Sequence, residues 1–180
     1  MTVLVAYASR HGSTRGIAER IAAGLRVAGV QTELKHVEEV QHLEGFDAFV
    51  IGSAAYMFHW LKEATSFVKK NRARLAAKPV WLFSSGPLGT DRVDDNGNDV
   101  LEVSRPKEFD QFQSLIRPRG EQVFFGAWDP TAPPQGVAER FVRRIAGKVP
   151  LPAGDFRDWA AIDEWTAGIA ADLGARVLVG

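Results

Sequence analysis

Apolar residues come in short unbroken runs along this chain. Val3-Leu4-Val5-Ala6, Ala48-Phe49-Val50-Ile51 and Val80-Trp81-Leu82-Phe83 are apolar at every position rather than at every second one. Strands of that kind are buried on both faces, as in a parallel sheet covered by helices on each side. With the β-branched and aromatic runs included, the predicted strands are Val3–Ala8, Thr32–Val37, Ala48–Gly52, Val80–Ser84 and Gln122–Ala127. Between them apolar positions recur every three or four residues. Ile17, Ile21, Leu25 and Ala28 mark a helix over Ser13–Ala28 that stops at Gly29. Leu61, Ala64, Phe67, Val68 and Leu75 mark another over Trp60–Leu75, ahead of Pro79, and Lys107–Ile116 reads as a third. A last helix starts at Asp158, a cap, and runs through Ile162, Trp165, Ile169 and Leu173 on one face.

This alternation predicts an α/β fold with a doubly wound five-stranded parallel sheet. At 180 residues the chain is expected to form one domain over 1–180, large enough to bury a core without disulfides or a structural metal. Ligands of such sheets bind beyond the carboxyl ends of the strands, so the turns after the first, third and fourth strands should converge on one crevice. The segment Leu88–Gly120 is too long for a plain crossover and predicts an insertion between the fourth and fifth strands, with Asp91–Asp99 as a mobile polar loop. After Trp128-Asp129, Pro130, Pro133 and Pro134 predict a loop at the edge of the crevice. Trp128 there either touches substrate or packs the loop down.

Charge narrows the function. The chain carries 22 basic and 22 acidic residues, a net charge of zero, so no field suits a nucleic acid. It has no cysteine, which removes disulfides, thiolate catalysis and iron–sulfur or zinc–thiolate sites; redox chemistry would have to come from an organic cofactor. No metal site is expected: the run Asp94–Asp99 looks superficially like a calcium loop, but its glycine register puts Arg92 at the first ligand position and Val103 at the last. The uncharged stretch Ala48–Leu61 falls short of the ~20 residues that span a bilayer. The first residues pass straight into a strand pattern without the features of a signal peptide, so a cytoplasmic protein with at most peripheral membrane contact is expected.

The chemistry concentrates in three turns. Ser9-Arg10-His11-Gly12-Ser13-Thr14 follows the first strand and opens the first helix. Hydroxyls, a glycine and the positive end of a helix dipole there make a cradle for an anion, usually a phosphate. The loop lacks both Gly-x-Gly-x-x-Gly and Gly-Lys-Ser/Thr, which leaves a phosphomonoester as the expected guest. The second turn is Gly52-Ser53-Ala54-Ala55-Tyr56-Met57-Phe58-His59-Trp60 and the third is Ser84-Ser85-Gly86-Pro87-Leu88-Gly89.

In that order the turns resemble the flavodoxin superfamily, over nearly the whole chain. Ser9, Arg10, His11, Gly12, Ser13 and Thr14 match its phosphate loop, with His11 in place of the usual third hydroxyl and Arg10 directed either at the phosphate or at solvent. The resemblance implies FMN as cofactor, with Ser53, Ala54, Ala55 and Tyr56 on one side of the flavin ring and Ser85, Gly86, Pro87 and Leu88 on the other. Phe58 and Trp60 are either ring walls or core aromatics. A simple electron carrier usually has an aromatic in the third turn, where this chain has Pro87 and Leu88.

A narrower resemblance is to the menaquinone-dependent protoporphyrinogen oxidase group. It rests on Tyr7-Ala8-Ser9-Arg10-His11-Gly12-Ser13-Thr14-Arg15, Val50-Ile51-Gly52 followed by His59, Phe67-Val68-Lys69-Lys70, Gly126-Ala127 and Asp158-Trp159. It implies an FMN-dependent oxidoreductase with small-molecule electron partners, a porphyrinogen as donor and a quinone as acceptor, placed peripherally at the inner face of the membrane. That group's insert is typically basic, whereas Gly89–Arg105 is acidic in its middle. His59 is the candidate for proton movement, or else a structural histidine. The other readings are an electron-transfer flavodoxin, an NAD(P)H-dependent quinone reductase and a flavodoxin-like binding module that has lost its cofactor.

Overall fold

The computed structural model describes residues 1–129, 131 and 152–174; the expected loop at Pro130, Pro133 and Pro134 lies outside them. The strands of the central sheet are β1 (Thr2–Ala8), β2 (Gln31–His36), β3 (Ala48–Tyr56), β5 (Val80–Ser85) and β6 (Gly120–Phe124). They lie in the order β2-β1-β3-β5-β6, all parallel. This is the expected five-stranded doubly wound sheet, with the chain reversing direction beside β1.

Alternate residues of the buried strands feed two cores, which is why the runs are apolar throughout. Val3, Val5, Val50, Trp81 and Phe83 face α1 (Ser13–Val27) and a C-terminal helix, Trp159–Asp172. Leu4, Ala6, Phe49, Ile51 and Leu82 face α2 (Lys62–Lys70), α3 (Arg72–Ala76) and α5 (Glu108–Ile116). The second core carries an aromatic cluster in which Trp60 meets Phe109 and Phe112 at 5.3 and 5.4 Å between ring centres.

Two expectations are corrected, and the insertion gains a defined form. The helix read as Trp60–Leu75 is two helices: at Asn71 the backbone leaves the helical path and the Asn71 side-chain amide bonds back to the Phe67 carbonyl. The third strand runs on to Tyr56 and returns through β4 (His59–Trp60), so most of the second turn is a hairpin. The insertion, expected to hold a mobile loop, is internally bonded. Asp94 Oδ1 accepts from the Asn96 and Asn98 amides, Val93 bridges Asp99, and Asp99 pairs with Arg92 and caps α4 (Val100–Val103). Arg105 anchors the end of the insertion to Asp110 and Glu121 at 2.6 and 2.8 Å. The sequence pattern hides these links because they join polar side chains across a few residues of irregular backbone.

Close packing leaves one glycine in the sheet no substitute. Gly52 sits beside Phe83 in register, and a Cβ there would overlap the Phe83 ring. Gly52→Ala is expected to destabilise the protein by about 1–3 kcal/mol, the scale of overpacking a rigid core, read as a lower denaturant midpoint with an unchanged slope.

Candidate functional site

The carboxyl ends of β1, β3, β5 and β6 open into a cleft of about 330 Å³, within the usual range for small-ligand sites. Its lining draws on all three turns: Ser9, Arg10, His11, Ser13 and Thr14 from the first, Ala54, Ala55, Tyr56 and Met57 from the second, Ser85, Gly86 and Leu88 from the third. Gly126, Ala127, Trp128 and Pro152 complete it.

The first turn is shaped by Gly12. At φ 82° it takes a left-handed conformation that lets the chain enter α1, and its amide donates to Ser9 Oγ at 3.1 Å. No side chain caps the helix, and the first helical bond runs from the Gly16 amide to the Gly12 carbonyl at 2.9 Å. The amides of Ser13, Thr14 and Arg15 therefore have no acceptor within the helix, and the positive end of its dipole faces the cleft.

The three hydroxyls of this turn have different duties. Ser9 Oγ supports the Gly12 amide. Ser13 Oγ accepts from the Ala127 amide at 2.9 Å and shares a hydrogen bond with Ser85 Oγ at 3.2 Å, tying α1 to the ends of β5 and β6. Thr14 Oγ1 is fully buried, lines the cleft and has no partner. A buried hydroxyl left unpaired costs roughly 1–3 kcal/mol, so this atom marks the place of a missing acceptor or donor.

The second turn forms its wall by strain. Met57 and Phe58, at φ 50° and 65°, are the two central residues of the β3–β4 hairpin turn, a geometry that normally selects Asn and Gly. Bulky residues there are strained, and the turn is held from both sides. The Leu61 amide bonds to the Ala54 carbonyl and Ser53 Oγ, and the Lys107 amide donates to the Phe58 carbonyl at 3.0 Å. Met57, which borders the cleft, and Phe58 beside it in the turn remain 66% and 50% exposed. Because Met57 and Phe58 carry no Asn-Gly signal, the sequence pattern did not single out Met57 as a lining residue.

The remaining expected residues separate into supports and outliers. Gly12, Ser53 and Pro87 do not border the cleft; Ser53 is buried behind the hairpin, and the Pro87 carbonyl accepts from the Gly126 amide at 2.8 Å. Arg10 does border it, with its guanidinium paired to Glu63 of α2 at 3.0 Å, so its charge is locally balanced. Trp60 is a core aromatic. His59 stands apart from the other expected residues. It lies outside the cleft lining, 54% exposed, with Nδ1 2.9 Å from Glu108 Oε1, while the other Glu108 oxygen accepts from the Trp60 amide. Its visible task is to join the hairpin to α5.

The far wall was less legible. β6 ends at Phe124, short of the expected Ala127, and Ala127–Trp128 forms β7, paired with β8 (Gly154–Asp155). Trp128 both borders the cleft and stands edge-on to His11, ring centres 6.0 Å apart. The position of Gly126-Ala127-Trp128 after a C-terminal strand was the signal available for these residues; Pro152 had none.

Comparison with known proteins agrees with this geometry. Residues 4–131 match the family described as flavodoxin domain. Over 86 residues the chain is 31% identical to protoporphyrinogen IX dehydrogenase (quinone) of Escherichia coli K12, a match covering 47% of this chain and 48% of that protein, so it spans about half the length of this relative. Among solved structures, a cysteine-to-serine mutant of flavodoxin from Pseudomonas aeruginosa aligns with a TM-score of 0.60 at 15% identity, covering 97% of this chain and 99% of that one. A flavodoxin from the domain Archaea aligns at 0.51 and 16% identity, covering 93% and 99%. At these identities the structural likeness concerns the fold.

Ser13 gives a direct check on how the cleft is held. Ser13→Ala removes the acceptor of the Ala127 amide and is expected to cost about 1–3 kcal/mol, measured by denaturant unfolding, with faster hydrogen exchange at Ala127.

Proposed function

Because the chain belongs to the flavodoxin domain family, matched over residues 4–131, we propose that its cleft holds FMN and that the protein is an FMN-dependent oxidoreductase carrying electrons from protoporphyrinogen IX to a quinone. The observation that carries the cofactor reading is Thr14 Oγ1, a fully buried hydroxyl without a partner beside three amides at a helix start. A phosphate supplies the acceptor that this hydroxyl and those amides lack, and the helix dipole favours its charge.

In this reading Thr14 and the Ser13, Thr14 and Arg15 amides bind the phosphate, with Ser9 and Gly12 shaping the loop and Arg10 and His11 at its rim. Ala54, Ala55, Tyr56, Met57, Gly86, Leu88 and Trp128 enclose the ring, small residues admitting the backbone closely and larger ones excluding water. Ser53, Ser85 and Pro87 hold the two ring-flanking turns in place. When bound, FMN supplies two-electron redox chemistry, taking a hydride equivalent from a reduced donor and giving it to an acceptor.

The substrates are proposed from the Escherichia coli relative, which is named for protoporphyrinogen IX and quinone. The chain's own residues support an apolar partner. Among the described residues no carboxylate borders the cleft, Arg10 is balanced by Glu63, and Met57 and Leu88 line it. Among them, too, no helix is long and apolar enough to cross a membrane. Contact with a membrane is proposed as peripheral and the location as cytoplasmic. This reading gives His59 the support of the hairpin, because its Nδ1 is held by Glu108 and the residue lies outside the cleft lining.

Purified protein mixed with FMN and freed of excess is expected to keep a flavin absorption band, and to form porphyrin when protoporphyrinogen IX and a quinone are both present. A colourless protein overturns the cofactor assignment; a flavin-loaded protein that leaves porphyrinogen untouched overturns the substrate. Thr14→Val should weaken FMN binding by about 1.5–3 kcal/mol, on the order of ten- to a hundredfold in Kd. The thermal midpoint of the cofactor-free protein should hold or rise, since the variant deletes an unpaired buried hydroxyl.

A further inference from the structure

We infer that Arg157, beyond the span shared with the family, positions the first turn of α1 and thereby sets the preference of the site for a phosphorylated over an unphosphorylated flavin; this rests on the FMN reading above. Arg157 lies between β8 and the C-terminal helix and is only 17% exposed. Its guanidinium is fixed on three sides. Nε and Nη2 fork onto the Asp155 carboxylate, the planar group stands 4.4 Å from the Trp159 ring centre, and Nη1 donates to the Ser13 carbonyl at 3.4 Å.

Room for this contact comes from Gly16. A Cβ at Gly16 would collide with Arg157 Nη1, so the bare helix surface is what lets the guanidinium reach Ser13. Glycine inside a helix is otherwise about 1 kcal/mol worse than alanine, and Gly16 is otherwise an ordinary interior position of α1.

The Ser13 carbonyl and the Thr14 amide are two ends of one peptide group. A carbonyl that accepts from a cation polarises its own peptide and makes its N–H a stronger donor. It also fixes the plane of that peptide, hence the aim of the Thr14 amide toward the cleft. Asp155 balances the charge of Arg157, so the influence is local and falls at the phosphate end of the cleft. The strap carrying Arg157 is itself fastened to the cleft wall: β8 pairs with β7, and the Phe156 amide donates to the Gly126 carbonyl at 3.0 Å. Arg157 does not border the main cleft and acts through Ser13, as a positioning residue.

The test is titration of cofactor-free protein with FMN and with riboflavin, for wild type, Arg157→Ala, Arg157→Lys and Gly16→Ala. Arg157→Ala is expected to weaken FMN binding about five-fold, the scale of one hydrogen bond, and to leave riboflavin binding unchanged. Gly16→Ala keeps the arginine but displaces its guanidinium, so it should reproduce the loss for FMN without lowering the thermal midpoint. Arg157→Lys, which keeps the charge but loses the fork on Asp155, should recover part of the preference. Equal losses for both flavins, or an unchanged FMN-to-riboflavin ratio in Arg157→Ala and Gly16→Ala, overturn the inference while leaving the FMN reading intact. A wild-type protein that binds the two flavins equally, or neither, overturns the FMN reading and this inference with it.

Discussion

The start of α1 has to meet two opposed demands. Its amides must stay free to face the cleft, which forbids the usual side-chain cap, yet the turn must be rigid enough to hold a ligand. Ser13 reconciles the two by turning its hydroxyl away from the helix amides and onto Ala127 and Ser85. One hydroxyl thus ties together the turns after β1, β5 and β6, while Thr14, the next residue, keeps its own hydroxyl unspent. The cleft exists in its observed form because these two neighbours do different work.

The opposite side of the cleft is held by packing and strain. Two bulky residues in left-handed backbone at Met57 and Phe58 persist because the surrounding contacts over-determine them. The His59–Glu108 pair and the Lys107–Phe58 bond tie the hairpin to α5 and to the end of the insertion. The insertion therefore acts on the site through the hairpin it supports. What results is a wall that is apolar, partly exposed and, among the described residues, free of carboxylates, beside an uncapped helix start in a chain of zero net charge. Such a combination is the basis for proposing an apolar redox substrate over a docking surface steered by charge.

The segment outside the family match braces the site from behind. β8 backs the cleft wall by pairing with β7, Arg157 reaches the first turn of α1, and the C-terminal helix joins α1 through the Arg20–Asp163 pair at 2.6 Å. Close approach of the two helices is admitted at Gly24, against Thr166, as the approach of Arg157 is admitted at Gly16. Two glycines of one helix thus serve one neighbouring segment.

The order of strands and helices, the parallel sheet and the cradle after β1 were all legible in the sequence, because each rests on local pattern: unbroken apolar runs, helical spacing, and a polar glycine-containing turn between them. That pattern also gave the three turns that converge on the cleft, and the resemblance to flavodoxins singled out most of the residues in them that line it. Which hydroxyl of Ser9, Ser13 and Thr14 is left for a ligand was decided only by the tertiary structure, since it depends on the amide of Ala127, 114 positions from Ser13. The same holds for His59, whose place beside the second turn suggested the cleft while Glu108 on α5 draws it elsewhere. It holds again for Met57 and Trp128, which reach the cleft through a strained hairpin and a late strand pairing. Local pattern records what each segment buries; partners distant in sequence decide which polar groups are already satisfied, and so where a ligand is needed.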